Sequence, residues 1–221
     1  MYQINEIFET IQGEASFTGT PSIFVRLQGC PVGCSWCDTK QTWDAKDSYV
    51  VSLEQTVEKK SDSEHWAKAD AEDILALFQS RGYRAKHVVI TGGEPCLFDL
   101  NPLCELLHQH GYSTQVETSG TFEIKVPAQT WVTVSPKINM RGGYEVLASA
   151  MKRANEIKHP VAMQKHVDEL EELFKVTGVH PRLVYLQPIS QKAKATKLAI
   201  DTCIKKNWRL SVQVHKYLGI N

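Results

Sequence analysis

The chain has 221 residues, and 25 Lys and Arg balance 25 Asp and Glu for a formal net charge of zero, which removes any global electrostatic case for a nucleic-acid or membrane-surface partner. Hydrophobic residues at 42% and charged residues at 23% exclude extensive disorder, and the length suits one domain, expected over residues 1–221, whose core needs no disulfide staples. No apolar run reaches the roughly 18 residues that cross a bilayer, and residues 1–10 lack the basic start and apolar stretch of a signal peptide, so a cytoplasmic chain with its six cysteines mostly reduced is expected.

Short β-branched runs alternate with helix-like stretches along the chain. The first predicted strands are 4–8 and 22–28. Segment 49–68 is polar, carries no motif, and is expected to have no core role. A helix over 71–79 follows, with Asp70 as N-cap and Gly82 just past its end. Strand 87–91 contains Val88-Val89-Ile90, apolar on both faces as a covered parallel strand should be. The next helix opens on Asn101-Pro102, read as cap and first helical position, and stops near Gly111. Strands 113–117 and 131–135 flank a connection, 119–130, too short and too broken by Gly120 and Pro127 for a covering helix. Helix 144–155, strand 156–161, helix 167–176, strand 183–187, helix 194–206 and strand 209–214 complete the series. This alternation implies a parallel sheet with right-handed crossovers. A closed eight-unit barrel takes about 250 residues, so the expected fold is α/β, an incomplete TIM-like barrel of parallel strands with some helices missing and one side open.

The sharpest motif is Cys30-Pro31-Val32-Gly33-Cys34-Ser35-Trp36-Cys37. Gly29, Pro31 and Gly33 make this a loop. It follows a strand directly, at the end that carries function in barrels. Three thiolates suit a soft centre, zinc or an iron–sulfur cluster. Structural zinc sites take four ligands, commonly from paired CxxC units, and no second pair exists here. A cubane on three cysteines leaves one iron open to a small molecule. Cys104 and Cys203 lie on helix-like stretches and read as core thiols; Cys96, nearer the motif, is a conceivable fourth ligand. Thr91-Gly92-Gly93-Glu94-Pro95 ends an apolar strand. Its glycines permit close backbone approach to a ligand, and carbonyls with a carboxylate can receive an ammonium group. Arg26 can make charge-assisted hydrogen bonds to a carboxylate, or serve as a surface strand charge.

The triplet with Trp36, followed in order by the Gly-Gly-Glu segment, resembles the radical S-adenosylmethionine (SAM) superfamily. Within it the chain is similar to the 7-carboxy-7-deazaguanine synthases over nearly its whole length. The likeness is carried by Phe8-Glu9-Thr10-Ile11-Gln12-Gly13-Glu14, Phe24-Val25-Arg26-Leu27-Gln28-Gly29-Cys30, Trp36-Cys37-Asp38-Thr39, Val116-Glu117-Thr118-Ser119-Gly120, Ser135-Pro136-Lys137, Leu186-Gln187-Pro188 and His215-Lys216-Tyr217-Leu218. Ala15 stands where that family usually has glycine, and an insertion between the first two cluster cysteines of some members is absent.

The resemblance implies a [4Fe–4S] cluster on Cys30, Cys34 and Cys37. It implies SAM held by Trp36, Cys37, Asp38, Gly93, Glu94, Glu117, Ser135, Pro136, Lys137 and Gln187. It implies Mg²⁺ on Thr39. The substrate implied is 6-carboxy-5,6,7,8-tetrahydropterin, contacted by Ile11, Gln12, Gly13, Glu14, Arg26, Thr91, His215 and the terminal carboxylate of Asn221. The activity implied is a carbon–nitrogen lyase reaction of 7-deazapurine (queuosine precursor) biosynthesis: hydrogen abstraction at C6, radical ring contraction and loss of ammonia. The resemblance also implies a flavodoxin- or ferredoxin-type reductant, a homodimer, and no direct contact with nucleic acid or membrane. Two other classes stay open, a glycyl-radical-enzyme activase and a non-catalytic zinc or iron–sulfur protein.

Overall fold

The computed structural model describes residues 1–57 and 61–220. Nine strands form one sheet: β1 Tyr2–Ile11, β2 Pro21–Leu27, β3 Ala67–Ala69, β4 His87–Gly92, β5 Ser113–Thr118, β6 Trp131–Val134, β7 Glu156–Val161, β8 Val184–Pro188 and β9 Arg209–Leu210. The order is β3-β1-β2-β4-β5-β6-β7-β8-β9. All neighbours from β2 to β9 are parallel. The two edge strands do not pair, so the barrel is open, as expected from a length short of full closure.

The edge beside β2 departs from the expectation of parallel strands. β1 is antiparallel to β2, and β3 is antiparallel to β1. Residues 12–20 are too few for the crossover a parallel pair requires, so the chain must reverse. Segment 49–68 also corrects its reading. It supplies helix α1 (Leu53–Val57) and leads into β3. Trp66 is 1% exposed, and its indole N–H donates to the Lys46 carbonyl at 3.0 Å. A polar segment thus carries one aromatic anchor of the core.

The helices are α2 Ala71–Ser80, α3 Asn101–Gln109, α4 Ala148–Arg153, α5 Gln164–Thr177, α6 Ala193–Lys206 and α7 Val214–Leu218. None of the described helices is long and apolar enough to cross a membrane. At α2 the expected cap is a full capping box: Asp70 Oδ1 accepts from the Asp73 N–H, and Asp73 accepts from the Asp70 N–H. α3 starts one residue earlier than read. Leu100 is its N-cap, and the Asp99 carboxylate takes the Asn101 N–H. α4 is much shorter than 144–155, because the Leu147 N–H bonds the Gly120 carbonyl and the preceding residues run over that turn instead of coiling. The predicted strand 209–214 stops at Leu210, where the chain turns toward the barrel mouth.

Alternation along the strands sorts side chains into two environments. Outward-facing Ile23, Val25, Leu27, Val88, Ile90 and Val116 pack on Ile74, Phe78, Leu103 and Leu107 of α2 and α3. Further on, Val132, Val134, Ile157, Val184 and Leu186 pack on Met151, Val167, Leu170 and Ala199 of α4 to α6. Each such side chain contributes about 1.5–3 kcal/mol on burial. Cys96 and Cys104 belong to the first cluster and Cys203 to the second. Cys96 is therefore a core thiol and does not face the triplet.

Many inward-facing positions are polar. His87 Nε2 meets Gln115 Oε1 at 3.0 Å, Gln115 donates to Thr133 at 2.8 Å, and Thr133 donates to Glu156 at 2.7 Å. Segment 12–20 closes the strands' N-terminal end. Phe17 stacks on His87 at 4.2 Å and meets Trp131 edge-on, while the Ser16 N–H donates to Glu156. The opposite end, at the strands' C-termini, opens as a cavity.

Candidate active site

The cysteine loop is closed by its own flanks. The Gly29 and Cys30 N–H groups donate to the carbonyls of Thr42 and Trp43 at 2.7 and 3.0 Å. Gln28, fully buried, donates to the carbonyls of Gln41 and Asp44 and accepts from Asn5. Gly92 and Gly93 seat β4 against this loop. A Cβ on Gly92 would lie 2.2 Å from Leu27 N, and one on Gly93 would lie 2.2 Å from Gly29 O. The close approach that needs these glycines is thus to the end of β2 and the first residue of the cysteine loop. The Gly93 and Glu94 N–H groups bond Leu27 O and Gly29 O at 2.8 Å.

Cys30, Cys34 and Cys37 line one wall of a cavity of about 360 Å³ at the barrel mouth. Burial pushes Cys30 up to about 11 and raises Cys34, so binding a metal centre there must release protons. Cys37 Sγ receives the Trp43 indole N–H at 3.4 Å, and Thr39 Oγ1 lies 3.6 Å away. Thr39 occupies the cap position of the short turn Lys40–Thr42 without a side-chain cap bond, which leaves its hydroxyl on the cavity wall. Among the described residues no three His, Cys, Asp or Glu side chains close on one metal-binding point. Three thiols spread along one cavity wall suit a polynuclear centre that leaves one metal open to a small molecule.

Trp36, Asp38, Gly93, Glu94, Glu117, Ser135, Lys137 and Gln187 line the same cavity. Pro136 does not. It borders a neighbouring hollow of about 200 Å³ that shares Trp36 and includes Met163 and His166, because side chains at successive positions leave the strand end in opposite directions. Glu94 is 1% exposed. Its carboxylate accepts from Thr118 Oγ1 at 2.6 Å, Cys96 N at 3.0 Å and Ser119 N at 2.8 Å. Three of its roughly four lone-pair positions are occupied, so it braces two strand ends and keeps one acceptor position. Lys137 Nζ donates to Ser135 Oγ at 2.6 Å. Burial lowers its pKa, against the pull of Cys34.

Ile11, Gln12, Gly13, Glu14, Arg26, Thr91 and His215, the residues expected at the substrate, line the cavity too. Asn221 lies outside the described residues. The Arg26 Nε donates to Glu6 at 2.5 Å, and its guanidinium lies 6.0 Å from the Phe8 ring. The Gly13 carbonyl accepts the Val214 N–H at 3.0 Å, and a Cβ on Gly13 would strike His215 Nδ1 at 2.4 Å. Burial lowers the His215 pKa, with Glu14 opposing.

Lys158 was missed by sequence reasoning. It bonds Glu14 at 2.5 Å and Glu117 at 2.9 Å. Gln213, which donates to Glu14 at 2.9 Å, and Trp43 were missed as well. The signal for Lys158 is Glu156-Ile157-Lys158, two charges at period two in an otherwise buried strand, which puts both on one face.

The radical SAM superfamily is matched over residues 24–175. A 7-carboxy-7-deazaguanine synthase of Escherichia coli (strain K12) is 58% identical over 220 residues, covering 99% of both chains. The chain belongs to the 7-carboxy-7-deazaguanine synthase family of radical SAM enzymes. A synthase of that name from Buchnera aphidicola subsp. Schizaphis graminum is 48% identical, again over 99% of both chains. The crystal structure of QueE from Escherichia coli superposes with a TM-score of 0.93 at 57% identity, covering 97% of this chain and 94% of that one. The cofactors of a radical SAM synthase are a [4Fe–4S] cluster and SAM, and the three-thiol wall fits the first. The activase and zinc-protein readings give way to this family.

Proposed function

We propose that the chain converts 6-carboxy-5,6,7,8-tetrahydropterin to 7-carboxy-7-deazaguanine with loss of ammonia. The observation that carries this reading is a single cavity bordered both by the three thiols and by the segment 11–14 with Arg26, Thr91 and His215. A cluster and SAM at the thiol end supply the one-electron cleavage that starts the reaction. The chain's residues bind and orient around them. Cys30, Cys34 and Cys37 hold the cluster. Trp36, Cys37, Asp38, Gly93, Glu94, Glu117, Ser135, Lys137 and Gln187 border SAM, with Pro136 behind Trp36 and Glu117 reaching the substrate side as well. Arg26 presents its outer nitrogens to the pterin carboxylate, with Nε held by Glu6. Gln12, Glu14 and Glu117 offer acceptors to ring N–H groups, and His215 and the Asn221 carboxylate close the substrate end. Thr39 holds Mg²⁺ with substrate oxygens and water, as suits an ion that keeps few protein ligands. The whole chain 1–221 acts as one domain, as a homodimer in the cytoplasm, served by a flavodoxin- or ferredoxin-type reductant.

The test is anaerobic incubation of reconstituted protein with SAM, reductant, Mg²⁺ and the tetrahydropterin. Formation of the deazaguanine is expected, and its absence removes the reading. Cys34→Ala should abolish both the cluster's visible absorption and turnover.

A further inference from the structure

The inner lining of the barrel holds one lysine whose task the site description leaves open. Lys158 sits in the middle of β7 with its side chain 7% exposed. Its ammonium bonds Glu14 Oε2 at 2.5 Å and Glu117 Oε2 at 2.9 Å. These carboxylates arrive from different elements, Glu14 from the loop after β1 and Glu117 from the end of β5. The remaining oxygens are also held. Gln213 and Gln187 donate to Glu14 Oε1 at 2.9 and 3.3 Å, and Gln12 donates to Glu117 Oε1 at 3.1 Å. A carboxylate has about four lone-pair positions, so Glu14 keeps one and Glu117 keeps two. All three charged groups border the cavity.

We propose that Lys158 is a positioning residue for the pterin reaction: it holds Glu14 and Glu117 together as ionised, acceptor-only groups, so that this wall takes a ligand edge of N–H donors and rejects one of carbonyls. This rests on the synthase reading of the cavity. Two carboxylates within reach of one nitrogen cannot both stay ionised in a buried site without a cation between them. A lysine buried there without them would lose its proton.

Other titratable groups around the trio are His215 and Lys216 on α7, His87 on β4, Asp38 beside the cysteine loop, and Lys137 just beyond β6. Burial would raise the Glu14 carboxyl, and Lys158 more than offsets this, holding it at about 2. Burial would lower Lys158, and Glu117 and Glu14 push it above its ordinary value instead. Glu14 and Lys158 therefore exchange no proton near neutrality.

The experiment compares the reconstituted wild-type enzyme with Lys158→Met and Lys158→Arg for pterin turnover from about pH 6 to 9. For Lys158→Met the KM for pterin should rise at least tenfold. Its kcat/KM should gain an acid limb, increasing with pH as the proton now shared by the carboxylates leaves. Lys158→Arg, which keeps the cation, should restore most of the KM and remove the limb. If Lys158→Met does not fold, Lys158→Met combined with Glu14→Gln leaves a single carboxylate. That pair should fold, with the raised KM. A Lys158→Met enzyme with wild-type KM and pH profile, or a Lys158→Arg enzyme no better than it, overturns the proposal. Either result leaves the synthase reading standing if wild type turns over. A wild type inert toward the tetrahydropterin removes that reading and the proposal with it.

Discussion

Trp43 lies six residues past the last cysteine of the triplet, and its indole N–H points at Cys37 Sγ. Hydrogen bonds to cluster sulfurs favour the reduced, more negative state and raise the potential. Trp43→Phe keeps the ring and removes the donor. The midpoint potential of the reconstituted protein, followed by EPR during redox titration, should fall. A loss of about 1 kcal/mol corresponds to some tens of millivolts for a one-electron couple. An unchanged potential would separate Trp43 from the centre. Glu94 teaches a related lesson at the same scale. Its place after Gly-Gly was legible in the sequence. That three neighbours occupy its carboxylate was not, since two of them, Thr118 and Ser119, come from the next strand.

Among the elements, the loop after β1 and helix α7 work as one unit. The Val214 N–H bonds Gly13 O, and the Ala15 N–H bonds Ser211 Oγ at 3.1 Å. Gly13 has no room for a Cβ against His215. Gly13→Ala should push α7 outward and raise the pterin KM at least tenfold, with the circular dichroism spectrum and melting temperature near wild type. A wild-type KM would show that α7 does not border the substrate. Helix α2 provides the contrast, because it packs outside the sheet. Asp70→Ala removes half of its capping box and should cost about 1 kcal/mol. That is a fall of about 2–4 °C in melting temperature for a chain of this size, with kcat unchanged. Calorimetry and turnover on the same preparation check both. The cap was readable because capping is a contact between residues three apart. The helix read over 144–155 failed because a backbone bond from Leu147 to Gly120, on another connection, decides where α4 begins.

At the scale of the whole molecule, an apolar shell outside the sheet encloses a polar interior. The Glu14–Lys158 pair within it responds to pH at the extremes only. Glu14 has a folded-state pKa of about 2 against an ordinary 4.5. Its share of stability is fully present above 4.5 and is lost as pH falls from there toward 2. Lys158 is raised above an ordinary 10.5, so its share is present below 10.5 and is lost as pH rises beyond. Urea unfolding should therefore show a plateau between about pH 5 and 10 in the contribution of this pair. The acid-side loss should be smaller in Glu14→Gln, the difference being at most about 3 kcal/mol. Equal acid sensitivity in wild type and Glu14→Gln would mean the pair does not stabilise the fold.

The amino-acid sequence by itself determined the chemistry of the cysteine loop, the βα alternation of the open barrel, and the families of residues at the strand ends. Each depends on spacing within a few residues, where turn and strand geometry leave little choice. Tertiary structure alone decided the core role of Trp66, the exclusion of Pro136 and Cys96 from the main cavity, and the meeting of Lys158 with Glu14. That pair lies 144 positions apart in the chain. Such contacts follow from how strands register and curve around a shared interior, and no local pattern encodes which inward-facing charge will find which.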